Sequence, residues 1–172
     1  MDEIEAARKA IQGDEEAFVA LMHIHKEALL RTALAFQKND HDALEALQET
    51  TYRAFKKIHT LREPAYAKTW LIRIMINYCQ DQLKRDRRYA RNGEAADSSV
   101  SDDLALLELQ DALSTLSPAE QQLIYMKYFQ GVKIKDIAAI EKIPEGTVKS
   151  RLHKTLRRLR SHFEGKGEID HV

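Results

Sequence analysis

Between Lys149 and His162 the chain carries six Lys or Arg residues and no acidic one. Guanidinium and ammonium groups at that density can donate to phosphate oxygens and to the major-groove edge of guanine, so contact with nucleic acid is the first chemistry to consider. The stretch Pro144–Arg160, PEGTVKSRLHKTLRRLR, reads as one helix. Val148, Leu152, Leu156, Leu159 and then Phe163 recur at helical spacing and predict a buried stripe. The opposite face carries Gly146, Ser150, Lys154 and Arg157, flanked by Thr147, Lys149, Arg151, His153, Arg158 and Arg160. A solvated charged face ordinarily mixes both signs. Short polar side chains in the first turn, followed by a one-sided basic run, suit a helix whose N-terminal end enters a major groove while its later turns meet phosphates.

Such a helix needs neighbours that set its angle, and the preceding residues supply them. Ser117-Pro118-Ala119-Glu120 opens a helix: Ser at the cap, Pro where its missing N–H is harmless, and Glu three residues after the cap. That helix is predicted to run to Gln130 and stop at Gly131. A short helix near Ile134–Glu141 and a tight turn, Lys142-Ile143-Pro144, follow. Short helix, turn and basic second helix together form a helix-turn-helix. The turn lacks glycine, so Lys142 is expected to take left-handed backbone at a cost of about 1 kcal/mol or more.

The N-terminal half is helical too. A short helix is predicted over Asp2–Ile11, with Ile4, Ala7 and Ile11 on one side, broken by Gly13-Asp14. A long helix over Asp14–Lys38 should bury Phe18, Leu21, Met22, Leu29, Ala33 and Phe36. Asn39-Asp40 reads as a stop followed by a cap, with Asp40 accepting from the next helix. That third helix, His41–Ile58, is predicted to bury Leu44, Leu47, Phe55 and Ile58 and to expose Glu45, Gln48, Glu49, Arg53 and Lys56. Pro64 fixes a loop over His59–Ala65. The fourth helix, Tyr66–Tyr89, carries Trp70, Leu71, Ile72, Ile74, Met75, Ile76, Tyr78 and Leu83; being apolar so far round, it should be central in a small bundle. Ala90–Asp103 (ARNGEAADSSVSDD) has the composition of a linker, and Leu104–Leu116 is amphipathic. The fold class is therefore all-α: two small helical domains, residues 1–89 and 104–172, joined by an acidic linker over 90–103.

Equal numbers of basic and acidic residues, 27 each, make the formal charge zero, but they are segregated: Glu94–Glu120 holds seven acids and no base, Lys84–Arg91 five bases and one acid. A neutral chain can therefore still present basic surfaces. The single cysteine, Cys79, excludes an internal disulfide and reads as inert core. No apolar run approaches a membrane span and MDEIEAARKA lacks a signal-peptide pattern, so a cytoplasmic location is expected.

LSPAEQQLIYMKYFQGVKIKDIAAIEKIPEGTVKSRLHKTLRRLR resembles region 4 of the extracytoplasmic-function sigma factors. DALEALQETTYRAFKKI resembles the clamp-binding helix of their region 2, and KTWLIRIMINYCQDQLKR the helix that follows it. The resemblance covers most of the chain, in the family's order. It implies a dissociable promoter-recognition subunit of bacterial RNA polymerase. Region 2 would bind the clamp of core RNA polymerase and capture the melted non-template strand of the minus-ten element. Region 4 would bind the minus-thirty-five element as duplex and sit on the flap, and the linker would thread into the cleft and RNA exit path. Control by an anti-sigma factor, often membrane-bound, is implied as well.

Carried onto this sequence, the resemblance assigns Asp42, Glu45, Gln48 and Glu49 to the basic clamp helices, although Leu44 and Ala46 depart from the family's usual residues in that run. Around the loop, His59, Thr60, Arg62, Lys68, Arg73 and Asn77 could line a path for single-stranded promoter DNA, with basic groups following the backbone. Lys84, Arg85, Arg87 and Arg88 would meet phosphate at the upstream edge of that element, and Trp70 is expected in the core. In the second domain Glu145, Gly146, Thr147, Lys149, Ser150 and Arg151 are the candidates for groove contacts; Lys154, Arg157, Arg158 and Arg160 are those for phosphate or flap.

Two other functions compete. A freestanding helix-turn-helix regulator would use the first domain as a sensor or dimeriser, yet it needs no clamp-like helix or single-strand path. A metal-dependent hydrolase could be sought in His23, His25 and Glu27, but residues two apart point to different sides of a helix. No Gly-rich phosphate loop and no paired nucleophile and base occurs, so no enzymatic activity, metal or cofactor is expected.

Overall fold

A computed structural model of the chain describes residues 1–37, 39–91, 108 and 111–169; it divides into two compact units, Met1–Asp102 and Asp103–Val172. Among the described residues there is no strand, as the all-α expectation requires.

The first unit contains α1 (Glu3–Ile11), α2 (Glu15–Phe36), α3 (Asp40–Lys57) and α4 (Ala67–Arg91), with single 3-10 turns at Ile58–Thr60 and Pro64–Tyr66. Each of the first three helices starts on a side-chain cap. Asp2 accepts from the Glu5 amide at 2.8 Å, Asp14 from Ala17 at 3.0 Å, and Asn39 from Asp42 at 2.8 Å. Asn39 rather than Asp40 caps α3, because its extended backbone (φ −148°) aims the amide oxygen back at the helix. Asp40 then lies in the first turn, where a carboxylate complements the positive helix end. Gly13, at φ +100°, makes the turn from α1 to α2 that a side chain would strain.

Helix α4 packs against both α2 and α3, and the fully buried core runs through Leu21 and Leu29 on α2 and Leu71, Ile72, Met75 and Ile76 on α4. All six residues predicted to be buried on α2 are so. On α4 the burial is one-sided: Trp70, Ile74, Tyr78 and Leu83 are only half-buried.

Helices α1 and α3 depart from expectation in the same way. Helix α1 buries Ala6, Ala7 and Ala10 and leaves Ile4 46% exposed. Helix α3 buries Ala43, Ala46, Thr50 and Ala54, while Leu44 and Phe55, expected inside, are 52% and 47% exposed. A row of alanines lets two helix backbones approach closely, which turns the larger apolar side chains outward. Ala46, with no accessible surface, leaves no room for a larger side chain. Ala46→Leu should therefore lower the unfolding free energy of the first unit by about 1–3 kcal/mol. Trp70, the chain's one tryptophan, lies in this unit and reports the transition in a urea titration followed by its emission.

The second unit contains helical residues 111–114, then α5 (Pro118–Ile124), α6 (Ile134–Glu141) and α7 (Glu145–Ile169). The expected capping at Ser117 is present, its Oγ accepting from the Glu120 amide at 3.3 Å. Helix α5 does not continue to Gln130 as α-helix. It widens after Ile124 into one π-helical turn, Tyr125–Phe129, closed by the Gln130 amide on the Tyr125 carbonyl at 3.1 Å and ended by Gly131 at φ +64°. The Tyr125 and Phe129 rings stack across it, 5.3 Å between centroids. Gln121, buried, ties α5 to the preceding turn by donating from Nε2 to the Leu113 carbonyl at 2.7 Å. The expected linker lies outside the described residues apart from its first two, which α4 absorbs by running to Arg91.

Candidate nucleic-acid interface

In the second unit α6, the turn and α7 form the expected helix-turn-helix. Lys142 adopts left-handed backbone (φ 55°, ψ 45°), and the Ile143 amide closes the turn on the Ala138 carbonyl at 3.1 Å. Helix α7 is held by Val148, Leu152 and Thr155, all buried, with the Thr155 hydroxyl donating to the Arg151 carbonyl at 2.8 Å. Beyond Thr155 the predicted apolar stripe is covered only in part: Leu159 is half-buried, whereas Leu156 is 38% and Phe163 54% exposed.

Glu145, Gly146, Lys149, Ser150, Arg151, Lys154 and Arg157 are exposed and Thr147 is half-buried, so none of the groove and phosphate candidates is shut into the core of the unit. Gly146 has ordinary helical backbone, and a Cβ built on it would touch nothing within 4 Å. Nothing inside the unit asks for glycine, which costs about 0.5–1 kcal/mol against alanine in a helix; close approach of an external backbone would. Two of the later basic residues have partners in the chain. Arg158 Nη1 binds both carboxylate oxygens of Glu120, at 2.9 and 3.3 Å, fixing α7 to α5, and Arg157 Nη2 is 3.2 Å from His153 Nε2.

In the first unit the strand candidates separate into three places. Arg73, Asn77, Lys84 and Arg88 recur at helical spacing along the side of α4 opposite Leu71, Met75 and Cys79, and half-buried Trp70 lies on the same stripe. The ring is therefore a surface feature of the stripe as well as a packing residue. Arg85 is exposed on its flank. Thr60 and Arg62 are exposed in the loop before α4, where buried Ile58 and Leu61 anchor the chain; the Thr60 hydroxyl donates to the Lys57 carbonyl at 2.7 Å. Lys68 is half-buried on another side of α4, where its charge acts on His25 of α2.

The four clamp candidates on α3 also differ in setting. Glu45 and Gln48 are exposed. Asp42 and Glu49 are half-buried and engaged within the chain: Asp42 accepts from Asn39 Nδ2 at 2.9 Å, and Glu49 from Arg53 Nε at 3.2 Å. Arg53 also lies over the Tyr78 ring, 5.1 Å from its centroid. Leu44, Tyr52 and Phe55 share the outward side with Glu45 and Gln48. Sequence pattern assigned Leu44 and Phe55 to the core; their exposure follows from the alanine face behind them.

His23 is exposed and His25 buried, so the pair does not converge on one ligand position. His41, Asp42 and Glu45 can bring three ligand atoms within 4.8 Å of one another, but they cluster at the positive end of α3, which opposes a cation. Burial pushes the Cys79 thiol up to about 12, so it is no ready nucleophile at neutral pH. No described helix is long and apolar enough to cross a membrane.

Comparison with known proteins places both halves. Residues 21–89 match Sigma-70 region 2 and residues 106–159 match Sigma-70, region 4. The chain is 31% identical over 153 residues to the ECF RNA polymerase sigma factor SigM of Mycobacterium tuberculosis, covering 87% of this chain and 78% of that one. It is 27% identical over 156 residues to the RNA polymerase sigma factor SigV of Bacillus subtilis, covering 88% and 94%. Among solved structures it resembles the sigma factor RpoE of Bartonella quintana in complex with the anti-sigma factor NepR, with a TM-score of 0.65, 25% identity and coverage of 86% and 96%.

Proposed function

The chain belongs to the extracytoplasmic-function sigma factors, and from that premise we propose that its two units divide the promoter between them, α7 reading upstream duplex and the loop and basic stripe of α4 holding the opened strand. As a sigma factor it is an initiation factor that works with RNA polymerase on promoter DNA, and it is not itself an enzyme.

The observation that carries the division is the contrast between the two basic surfaces. On α7 an exposed polar first turn precedes the basic turns, the order that suits insertion into a major groove. On α4 the basic residues share a stripe with an indole, the combination that suits a single strand, whose bases can stack while its backbone is neutralised. In this scheme Glu145, Gly146, Thr147, Lys149, Ser150 and Arg151 face the minus-thirty-five element, and Lys154 and Arg157 its phosphates. Thr60, Arg62, Arg73, Asn77, Lys84, Arg85 and Arg88 follow the melted minus-ten strand. Lys68 stands at the edge of that path. Residues 1–89 form the clamp-side domain, 90–103 the linker and 104–172 the upstream domain. An anti-sigma factor, of the kind seen with the RpoE relative, controls access to these surfaces.

Added to bacterial core polymerase, the protein should form a complex and start transcription at promoters that core alone ignores. Mapping the starts after overexpression identifies the two elements. A pull-down in which core is not retained would return the chain to the freestanding-regulator reading.

A further inference from the structure

Helix α1 lies outside the segment matched to region 2, which begins at residue 21, yet it packs on the loop that the proposed function assigns to the opened strand. Through its alanine face it rests on α2 and on both 3-10 turns, Ile58–Thr60 and Pro64–Tyr66. Its first residue is fastened from below. Glu3 Oε1 is 3.2 Å from Nε2 of His25, an imidazole only 4% exposed on α2. That nitrogen is buried and has no well-aligned hydrogen bond, so the carboxylate beside it is its nearest compensation.

We propose that α1 is a positioning element for the strand-holding loop, and that the Glu3–His25 contact sets how α1 lies over the two turns and so how Thr60 and Arg62 are presented. The inference rests on the reading that this loop handles the opened strand. The charged groups acting on His25 are Glu3 from α1 and Lys68 from α4. Burial lowers the affinity of the imidazole for a proton, Glu3 opposes that, and Lys68 adds to it; the net shift is downward from 6.5. A base whose folded pKa is lowered favours folding while neutral. The contribution is complete above pH 6.5 and is lost as pH falls towards and through the lowered value.

The test is amide hydrogen exchange on the full chain, read at Leu61 and Tyr66, whose N–H groups close the turns on Ile58 and Glu63 at 3.0 Å each. Glu3→Ala should speed exchange at these amides about tenfold, the loss expected for one partly buried charge-assisted contact, while the middle of α4 keeps its protection. Glu3→Gln, which keeps an acceptor oxygen, should restore most of it. Corrected for intrinsic chemistry, wild-type loop exchange should also rise as pH drops below 6.5, and His25→Gln should flatten that rise. Unchanged loop exchange in Glu3→Ala, or equal loosening of the whole unit, overturns the proposal. A separate arm keeps the underlying reading apart. If Arg62→Ala, in complex with core, binds a single-stranded oligonucleotide of the mapped minus-ten sequence as well as wild type does, the loop does not hold the strand, whatever the exchange shows.

Discussion

Lys149→Ala and Arg151→Ala should each weaken binding of the core complex to the upstream duplex by about 1–3 kcal/mol where the lost contact is bidentate to a base, or about 5- to 150-fold, and leave core binding untouched. Both side chains are exposed on the first two turns of α7, flanking the buried stripe of Val148, Leu152 and Thr155 rather than entering it. Folding should therefore survive the substitutions. Salt separates the two kinds of contact. A residue that reads a base changes sequence preference, whereas one that meets phosphate lowers the slope of log affinity on log salt by about 0.9. Arg158 is the internal comparison. Its guanidinium is held by Glu120, so Arg158→Ala should disturb the seating of α7 on α5 more than the salt slope. Fluorescence anisotropy with a labelled duplex across a salt series measures all three variants. Unchanged affinity and sequence preference in the first two variants, or loss of their core binding, would contradict the assignment of α7 to the upstream element.

The helix-turn-helix with its basic second helix was legible because its signal is chemical: a one-signed run of basic residues keeps its meaning wherever the helix ends. The left-handed Lys142 was legible for a similar reason, since a turn that short leaves few backbone choices. What the pattern misread was size. In α1 and α3 the larger apolar residues suggested the buried side, but the helices pack through Ala6, Ala7 and Ala10 and through Ala43, Ala46 and Ala54. Alanine carries little apolar surface, so its burial contributes weakly to any hydrophobic periodicity, while the close backbone approach it permits depends on the partner helix, which no local window contains. In α7 the burial of Val148 and Leu152 was read correctly and that of Leu156 and Phe163 was not, because a stripe says nothing about how far the neighbouring helices extend. The separation of Lys68 from Arg73 and Asn77 follows already from spacings of five and nine residues along one helix, whereas its nearness to His25 appears only once α4 has been placed against α2.

The misread face of α3 gives the second large effect. Leu44 and Tyr52 are 52% and 53% exposed, beside Glu45 and Gln48, on the helix that the proposed function sets against the polymerase clamp. Acidic residues there would steer approach to a basic partner and fix register, but charge complementarity affects rate more than it holds a complex. Holding needs apolar and aromatic side chains desolvated near the middle of the contact, where single truncations cost about 2 kcal/mol or more. Leu44→Ala combined with Tyr52→Ala should therefore weaken core binding by roughly 30-fold or more, chiefly by faster dissociation. Because both residues are surface-exposed, unfolding free energy should stay within about 0.5 kcal/mol of wild type. Glu45→Gln should instead slow association at low salt and leave dissociation nearly unchanged. Glu49→Gln is different again, since Glu49 holds Arg53 in place over Tyr78, and its effect on docking should come through that arrangement. Surface plasmon resonance with immobilised core polymerase separates the two rates. If the double variant dissociates as slowly as wild type while Glu45→Gln lowers affinity strongly, the complex is held by charge and the apolar side of α3 faces something other than the clamp.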